Sequence, residues 1–470
     1  MKILKRKKSA PSEKASAVVV GAGIGGLVVA RALARAGYAT LVLEARDAPG
    51  GAVRSHRVAG LLLDAGAESF ATRGGYVADL LADLGLADQI TAPDPTGAWV
   101  QLPDVARPMP HGGVLGIPGH PWSAGIRRTL GTVAAARACL DLVLPARVGS
   151  GGSLRDQVGR RMGYRVVDRL VHPVVGGVYG ADPADVTLAA LAPHLAAELA
   201  TSRGSLARAV RTVTASMPAG ASTQGLSGGL YRLTHALVDD VVAHDGEVKV
   251  RTEVTGVSRN DDGWTVTAAD GEHPADLVVL ATPMLGGLDA LEGADLGGAE
   301  LDEGRPSTLV TLVLDDARLD AAPRGTGMLV APGSPVDAKA LTHSTVKWSW
   351  LAEQAGSGRH VLRVSYEGDR MGQWTQENRE RLRDAALVDA GRMLGLALSS
   401  ARIVGYDVVV WTQAMPRPSA AHREAVAKVT ALADATEGLA VTGSWVAGTG
   451  LAAVVDHART TAEALVSDTP

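Results

Sequence analysis

The sequence of 470 residues predicts an α/β protein whose parallel sheet is assembled from separate parts of the chain. Three observations predict this class. Near the start, an apolar strand, a glycine-rich turn and a helix follow one another. After residue 228, several segments alternate or run apolar as strands do, and at the end a strand, a glycine turn and a helix recur. A mostly helical stretch separates these regions, so we expect a helical insertion and a second, sheet-based domain.

The first glycine turn fits the pattern Gly-x-Gly-x-x-Gly. Residues 18–20 form the apolar strand before it, and Gly21, Gly23 and Gly26 are its three glycines. The first permits a tight turn, the second lets a phosphate approach backbone amides, and the third allows the helix to pack closely on the strand. The second strand ends at Glu44, where a carboxylate can accept hydrogen bonds from a ribose. The pattern therefore predicts a dinucleotide site.

The residues after Glu44 favour a flavin over a nicotinamide cofactor. A second glycine pair, Gly50 and Gly51, is followed by Arg54 and then by the segment Asp-Ala-Gly-Ala-Glu-Ser at 64–69. FAD extends beyond the first phosphate turn and needs further backbone amides along the chain, whereas an NAD domain does not use them. We therefore predict FAD as the cofactor.

The later elements are assigned in chain order. Residues 91–121 and 145–153 are rich in proline and glycine and predict irregular connections. The chain that follows them, up to about residue 214, is predicted to be mostly helical. The predicted strands include EVKVRTEVTGVSR, GWTVTAAD, LVVLATP, STLVTLVLDD and HVLRVSYEGD, of which LVVLATP returns to the nucleotide-binding sheet. ENRERLRDAALVDAGRMLGL predicts an amphipathic helix. The final glycine turn, at 443–450, places a helix N-terminus where it can stabilise negative charge on a reduced flavin.

Composition excludes several classes of function. A formal net charge of −4 gives no case for nucleic-acid binding. The single cysteine, Cys139, excludes a disulfide framework and suits a reducing compartment. No spacing matches a metal site, no apolar run approaches the length of a membrane span, and the basic residues 1–15 lack the apolar part of a signal peptide. We expect a cytoplasmic protein with a disordered basic tail and no metal.

Several segments, in the same order along the chain, carry a family resemblance. They are GAESF, LVHPVVGGVYGADPADVTLAALAPHL, GLSGGLYRLTHAL, THSTVKWSW, VVVWTQAMPRPSAAHREAV and GTGLAAVV. With the first glycine segment, they resemble the FAD-dependent protoporphyrinogen and coproporphyrinogen oxidases, of the oxygen-dependent type found in Gram-positive bacteria and actinobacteria. That family lies within the flavin amine oxidase superfamily. The resemblance covers nearly all the chain after residue 16.

The resemblance implies a discontinuous Rossmann-like FAD-binding domain of the amine-oxidase (GR2) type, with FAD held non-covalently. Its parts are expected at 16–88, 216–292 and 421–470, with a helical insertion and substrate lid at 89–215 and a substrate-binding domain at 293–420. The residues expected to contact FAD are Gly21, Ala22, Gly23, Ile24, Gly25, Gly26, Glu44, Ala45, Gly51, Ala52, Arg54, Gly66, Ala67, Glu68, Ser69, Val254, Trp411, Gly443, Ser444, Thr449, Gly450 and Leu451. Val254 would touch the adenine through its backbone, and Trp411 would pack near the flavin.

The implied reaction is the oxidation of a porphyrinogen in haem biosynthesis, by three rounds that each remove a hydride and a proton. Molecular oxygen would reoxidise FAD and give hydrogen peroxide, and transient contacts with other enzymes of the pathway are expected. The flavin carries the difficult step, so no catalytic triad or carboxylate pair is expected and none is found. Four scattered histidines, at 172, 194, 235 and 343, are more typical of surface or packing positions than of a base. No residue is assigned as catalytic.

Charge favours coproporphyrinogen III, with four propionates, over protoporphyrinogen IX, with two. Residues 120–215 contain twelve arginines, no lysine and six acidic residues, and such a basic lid would attract an anionic substrate. Arg73 and Lys347 are the candidate partners of substrate carboxylates. Solvated helix faces, or attachment to a membrane surface, are alternative explanations of the arginines. Protoporphyrinogen oxidation, another amine oxidase or desaturase activity, and a non-catalytic flavin-binding scaffold remain alternative functions.

Overall fold

The computed structural model describes residues 14–215, 223–261, 263–282, 304–370, 372, 375–415, 420–448 and 450–467. Most of the predicted basic tail, the predicted domain boundary at 292/293 and the predicted cofactor residue Thr449 lie outside this part of the chain. The structural statements below concern the described residues.

Twenty-two strands are numbered here in chain order. They are β1 (Ser16–Val20), β2 (Ala39–Leu43), β3 (Ser55–Val58), β4 (Leu61–Asp64), β5 (Phe70–Ala71), β6 (Ile90–Thr91), β7 (Trp99–Gln101), β8 (Ala106–Pro108), β9 (Gly113–Val114), β10 (Ile117–Pro118), β11 (Thr223–Leu226), β12 (Glu247–Lys249), β13 (Val254–Asn260), β14 (Gly263–Ala268), β15 (Gly271–Ala275), β16 (Leu277–Leu280), β17 (Arg305–Asp315), β18 (Gly327–Val330), β19 (Ala340–His343), β20 (Arg359–Glu367), β21 (Ile403–Met415) and β22 (Leu439–Val441).

The α-helices of the described residues are numbered in the same way. They are α1 (Ile24–Arg35), α2 (Tyr76–Asp83), α3 (Ala124–Leu130), α4 (Thr132–Cys139), α5 (Leu154–Met162), α6 (Tyr164–Val166), α7 (His172–Tyr179), α8 (Leu188–Leu191), α9 (Pro193–Thr201), α10 (Leu206–Ala215), α11 (Tyr231–Ala243), α12 (Ser344–Lys347), α13 (Ser349–Ala355), α14 (Gln376–Leu394), α15 (Ala420–Ala435), α16 (Ser444–Ala447) and α17 (Leu451–Ser467). A π turn, Val167–Val171, joins α6 to α7. Among these residues, no helix combines the length and the apolarity that crossing a membrane requires.

The first sheet has five parallel strands in the order β12-β2-β1-β16-β22. Its middle strands are buried on both faces, and this explains why β1 and β16 read as continuous apolar runs. Helices α1, α11 and α17 pack on it and share one hydrophobic core. The discontinuous α/β fold is therefore confirmed, because the sheet takes strands from the beginning, the middle and the end of the chain.

The second large sheet has seven strands in the order β21-β17-β20-β19-β18-β7-β8. One face packs on α14 through a core that includes Val310, Leu312, Leu362 and Val364. Strands β7 and β8 come from residues 99–108, inside the range predicted as the helical insertion. Each has only three residues, which is too short for an alternating pattern to be recognised. Strands β13, β14 and β15 form a separate antiparallel meander.

The helical insertion, α3 to α10, has its own hydrophobic core. At its centre Asp141, fully buried, accepts hydrogen bonds from Arg161 Nε at 2.5 Å, Ser205 Oγ at 2.8 Å and Ala207 N at 2.8 Å. The Arg161 side chain, 1% exposed, also donates to the carbonyls of Asp141 and Val148. This ion pair therefore ties α5 to the first turn of α10 and to the connection around residue 145.

A second buried polar cluster lies on the α14 side of the seven-stranded sheet. His343 Nε2 lies 3.0 Å from His360 Nδ1, and His360 Nε2 lies 2.9 Å from Asp320 Oδ1. Both contacts are satisfied when His360 donates to Asp320 and accepts from His343, each ring being neutral. His343 is fully buried, and burial together with His360 lowers its pKa to about 3.

We expect this pair to make the protein sensitive to acid. The unfolded chain protonates His343 below about pH 6.5, whereas the folded protein keeps it neutral, so its stabilising effect is present above pH 6.5 and is lost as the pH falls toward 3. The loss approaches about 1.4 kcal/mol per pH unit. Urea unfolding between pH 7 and 4 should show a shallower pH dependence for His343→Gln, while His194→Gln, at an exposed position, should leave the slope unchanged. Equal slopes for wild type and His343→Gln would contradict the assignment.

Candidate active site

The two terminal glycine turns meet above the five-stranded sheet. Gly21 has φ +103°, and a side chain at Gly26 would overlap its carbonyl oxygen. A side chain at Gly25 would lie 3.3 Å from Gly443. At Gly23, by contrast, no described atom lies within 4 Å of the position that a Cβ would take. The turn is therefore closed toward the protein and open on the side where a phosphate would approach, as the motif predicts.

Glu44 lies beside this opening. Its side chain is buried, Oε2 accepts from the Ala22 amide and Oε1 accepts from the Arg46 amide, both at 2.9 Å. Each carboxylate oxygen keeps a second lone pair, so the ribose role predicted for Glu44 stays open to it. Thr282 lies next to Gly21 through its methyl group, and its hydroxyl is buried without a hydrogen-bond partner in the described chain. Thr282 could not be identified from the sequence, because it follows β16 in chain order and only the fold brings it to the turn.

The second glycine segment packs against the first. Gly50 N donates to the Ala22 carbonyl at 2.7 Å, and Ala67 N donates to the Ala52 carbonyl at 2.9 Å. A side chain at Gly66 would overlap the Ala52 carbonyl and lie 2.9 Å from the Trp411 ring. These contacts bring together residues of the 50–54 and 64–69 segments that were predicted to bind one ligand.

Trp411 closes this region from the seven-stranded sheet. The Arg54 guanidinium lies 5.0 Å from the centre of its ring, and the Arg46 guanidinium lies 5.7 Å from it. The ring is nearly buried, and its Nε1 has no hydrogen-bond partner within the described residues. Trp411 thus lies beside Gly66 and Arg54, two other residues predicted to contact the cofactor.

Glu68 is the centre of a buried ionic cluster. Lys347 Nζ donates to Oε1 at 2.6 Å and Arg363 donates to Oε2 at 2.8 Å, and the three side chains are 11, 19 and 9% exposed. A second nitrogen of Arg363 donates to the Gly66 carbonyl at 2.6 Å. Burial alone would raise the pKa of Glu68, but Lys347 and Arg363 lower it to about 2. Glu68 therefore stays ionised, and the two cations together carry one more charge than Glu68, with the Asp64 carboxyl also interacting with Arg363.

This cluster changes the interpretation of two residues. Lys347, predicted as a partner of substrate, is already paired with Glu68, which was predicted to contact FAD. Arg363 was not identified from the sequence, although a single arginine inside the apolar strand HVLRVSYE is unusual enough to have been a signal. Arg363 connects β20 to the 64–69 segment, and so it holds that segment against the sheet.

Asp64, at the end of β4, caps a helix. It is 8% exposed and accepts from the amides of Leu230 and Tyr231, at 3.0 and 2.8 Å, where α11 begins. Burial raises the pKa of Asp64 to about 6, against the effect of the two amides and of Arg363. The second glycine segment is therefore also attached to α11.

The C-terminal glycine turn leaves further open space. At Gly448 and Gly450, no described atom lies within 4 Å of the position of a Cβ. Ser444 is exposed and Leu451 is half-buried at the start of α17, while Nε1 of Trp445 is buried without a partner in the described chain. These residues flank the contact of Gly443 with Gly25, so they border the same space as the first turn.

Two predicted residues lie apart from this group. Val254 begins β13, where a register shift separates it from Gly256, and its side chain packs on the core formed with β1. Arg73 is exposed in the turn before α2 and makes no hydrogen bond or ion pair with a described residue. It lies near Tyr179 at the end of α7: burial raises the pKa of Tyr179, and the Arg73 guanidinium opposes this rise. Arg73 therefore faces the helical insertion.

The arginines of the insertion are only partly available to a ligand. Arg161 is buried against Asp141, Arg137 donates to the carbonyls of Arg160 and Arg161, and Arg169 donates to the Thr129 carbonyl. The positive excess seen in the sequence is therefore in part structural, and it overstates the charge that a substrate would meet.

The residues present fit a flavin dinucleotide. Three kinds of feature border the same space. They are the open backbone at Gly23, Gly448 and Gly450, the remaining lone pairs of Glu44, and the buried indole nitrogens of Trp411 and Trp445, which have no partner among the described residues. An extended ligand with phosphates, ribose hydroxyls and a ring system uses such features together. Within the described residues no group of acids, histidines or cysteines could hold a metal ion.

Comparison with known proteins agrees with this geometry. The family model described as flavin-containing amine oxidoreductase matches residues 24–466. The chain is 31% identical to the coproporphyrinogen III oxidase of Mycobacterium leprae, over 96% of this chain and 98% of that one. It is 32% identical to the coproporphyrinogen III oxidase of Propionibacterium freudenreichii, over 96 and 90% of the two chains. A crystal structure of a protein from Exiguobacterium sp. 255-15 has the same fold, with a TM-score of 0.84, 24% identity and coverage of 98 and 100%.

Proposed function

Because the chain belongs to the flavin-containing amine oxidoreductase family, we propose that it is an FAD-dependent oxidase that converts coproporphyrinogen III to coproporphyrin III in haem biosynthesis. The observation that carries this proposal is its identity of 31–32% to two relatives of that name over nearly the whole chain. The lone cysteine, Cys139, fits a reducing compartment such as the cytoplasm.

FAD would be held non-covalently by the residues that border the open backbone. Glu44 would accept from the ribose, and the amides around Gly23 would bind the pyrophosphate. The segments at 50–54 and 64–69, with Trp411, would enclose the ring system from the side of the seven-stranded sheet. When bound, the flavin accepts a hydride and, in its reduced form, reacts with molecular oxygen.

The protein's own contribution is position and charge. Lys347 and Arg363 outweigh Glu68 by one positive charge in a nearly buried place, and such a charge favours developing negative charge nearby. Trp411, which is buried, packs closely against the Gly66 backbone in the same region and would limit the access of water to it. These residues orient the reacting partners, and no side chain among those described is assigned a proton-transfer step.

Two other functions remain candidates for test. Protoporphyrinogen IX would undergo the same chemistry with two fewer propionates, and a flavin-binding scaffold would hold FAD without turnover. Both are compatible with the fold, so the choice among them depends on the substrate. With either porphyrinogen as substrate, we also propose transient contacts between this protein and other enzymes of the pathway, because the product is passed to a later step.

The decisive experiment is anaerobic mixing of the purified holoenzyme with coproporphyrinogen III and, separately, with protoporphyrinogen IX. We expect coproporphyrinogen III to bleach the flavin absorption rapidly, and we expect porphyrin fluorescence and hydrogen peroxide to appear when oxygen is admitted. Equal rates with both substrates would retain the reaction and reject the preference. Bound FAD that neither porphyrinogen bleaches would reject the proposed function in favour of a scaffold or another oxidase.

A further inference from the structure

We propose that Lys339 binds a carboxylate of the substrate at the edge of the seven-stranded sheet, where the helical insertion packs on it. This inference rests on the proposed function, because it assigns part of the substrate's charge to a residue of the same site. It supplies a cation in place of Lys347, which Glu68 already neutralises.

Lys339 immediately precedes β19, next to α7. Its amide donates to the Ser365 carbonyl at 2.8 Å, while Ala340 is the strand partner of the same Ser365. Lys339 and Ala340 therefore both lie opposite Ser365, at the point where the pairing of β19 with β20 begins. A side chain at Gly177 of α7 would lie 3.6 Å from the Lys339 carbonyl oxygen, so the insertion lies directly against this point.

The position fits a ligand that also reaches the Glu68 cluster. Ser365 and Arg363 are two residues apart on β20 and therefore share a face of the sheet. At the rise of an extended strand, Lys339 lies roughly 7 Å further along the sheet than Arg363. A flat macrocycle with carboxylates on its rim can place one of them at Lys339 while its centre stays near the cluster.

The Lys339 side chain is a cation without an ion-pair partner among the described residues. It is half-buried, and within the described chain it makes neither a hydrogen bond nor an ion pair. The acid that acts electrostatically on Lys339 is Glu367. Glu367 forms its ion pair with Arg305, at 2.7 Å, and Arg305 also contacts Asp185 at 2.9 Å. Burial lowers the pKa of Lys339. A desolvated ammonium without a partner is costly, and an incoming carboxylate would satisfy it.

Arg73 supplies a second point of attachment. It is exposed and unpaired among the described residues, and it lies near Tyr179, two residues beyond Gly177 on α7. Lys339 and Arg73 are thus connected through the C-terminal half of one helix, whereas Lys347 and Arg363 both bind the carboxylate of Glu68 in a single cluster. A substrate with several separated carboxylates needs separated cations, which Lys339 and Arg73 provide.

The test compares holoenzyme variants by the quenching of coproporphyrin III fluorescence and by anaerobic flavin reduction with coproporphyrinogen III. Because a hydrogen bond to a charged group is at stake, we expect Lys339→Gln to weaken coproporphyrin binding and to raise KM by about tenfold or more, with little change in kcat. Lys339→Arg should stay within about threefold of wild type. Lys428→Gln, on the exposed face of α15, is the matched control and should behave as wild type.

The melting temperature separates binding from structure. Removing an unpaired, half-buried ammonium should leave the melting temperature of Lys339→Gln unchanged or higher, whereas a structural lysine would lower it. Wild-type affinity in a folded Lys339→Gln would overturn this inference and leave the proposed function intact. Failure of the wild type to bind or oxidise either porphyrinogen would overturn both.

Discussion

Replacing Glu68 by glutamine should lower the free energy of unfolding by about 3–5 kcal/mol, because it leaves two buried cations without their counter-charge. Lys347 is 19% exposed and Arg363 is 9% exposed, and both donate directly to the Glu68 carboxylate. A neutral amide can accept one of these bonds but cannot balance the charge. Urea unfolding of the holoenzyme at pH 7 measures the loss.

The pH dependence gives a second measurement of the same cluster. The cations lower the pKa of Glu68 to about 2 from an ordinary value of 4.5, so its contribution is present above pH 4.5 and disappears as the pH falls toward 2. Glu68→Gln should lack this acid-dependent part. The control is Glu437→Gln, whose partner Arg259 lies 3.1 Å away on the surface, and we expect it to cost less than about 1 kcal/mol.

The double variant Glu68→Gln/Lys347→Met identifies the cause. If the uncompensated charge is responsible, removing Lys347 should recover part of the stability that Glu68→Gln loses. FAD affinity should follow the same order, because Arg363 also holds the Gly66 carbonyl. A loss below about 1 kcal/mol in Glu68→Gln would show that the cluster is hydrated and does not act as a buried ion pair.

The second large effect concerns the helical insertion. Asp141→Asn should destabilise it by about 3–5 kcal/mol, because Arg161 would remain fully buried without a carboxylate and the first turn of α10 would lose an acceptor. We expect the insertion to open while the five-stranded sheet persists, since the two have separate cores. Amide hydrogen exchange should therefore accelerate in 124–215 and change little in 16–43.

The matched control is Asp168→Asn, which alters a carboxylate of the same insertion. Its contact with Arg155 is 3.5 Å long and both side chains are more than 40% exposed, so the change should cost less than about 1 kcal/mol. Equal exchange in Asp141→Asn and Asp168→Asn would show that the buried pair does not stabilise the insertion. Uniform acceleration over both cores would show that the insertion and the sheet unfold together.

The sequence predicted the parts of the site that local geometry determines. The glycines at 21, 23 and 26 need only their neighbours to adopt a turn, and Glu44 directly follows the adjacent strand, so the pattern was sufficient for the sheet and the turn, while the ribose role of Glu44 stays a prediction. The 64–69 segment was singled out because FAD needs backbone amides beyond the first turn, whereas Trp411 came from the family resemblance. The structure brings the two into contact through Gly66.

The remaining features depend on contacts between distant residues. Lys347 and Glu68 are 279 positions apart, and nothing in either segment indicates that they form an ion pair. Arg161 was counted as part of a basic lid because its buried partner Asp141 could not be recognised from composition. The position of Lys339 opposite Ser365 likewise exists only once β19 and β20 are paired.

The strand order of the first sheet has a consequence for how the protein folds during its synthesis on the ribosome. Strand β1 pairs with β16, β16 pairs with β22, and Gly25 packs against Gly443. The N-terminal turn therefore reaches its final packing only after residues more than 400 positions later have been synthesised. Strand β2 and helix α11 are made earlier and can cover part of β1 and α1, but the remaining apolar surface lacks its final partners during this interval. We therefore expect the closed form of this turn to assemble late in folding, because it depends on contacts between residues more than 400 positions apart.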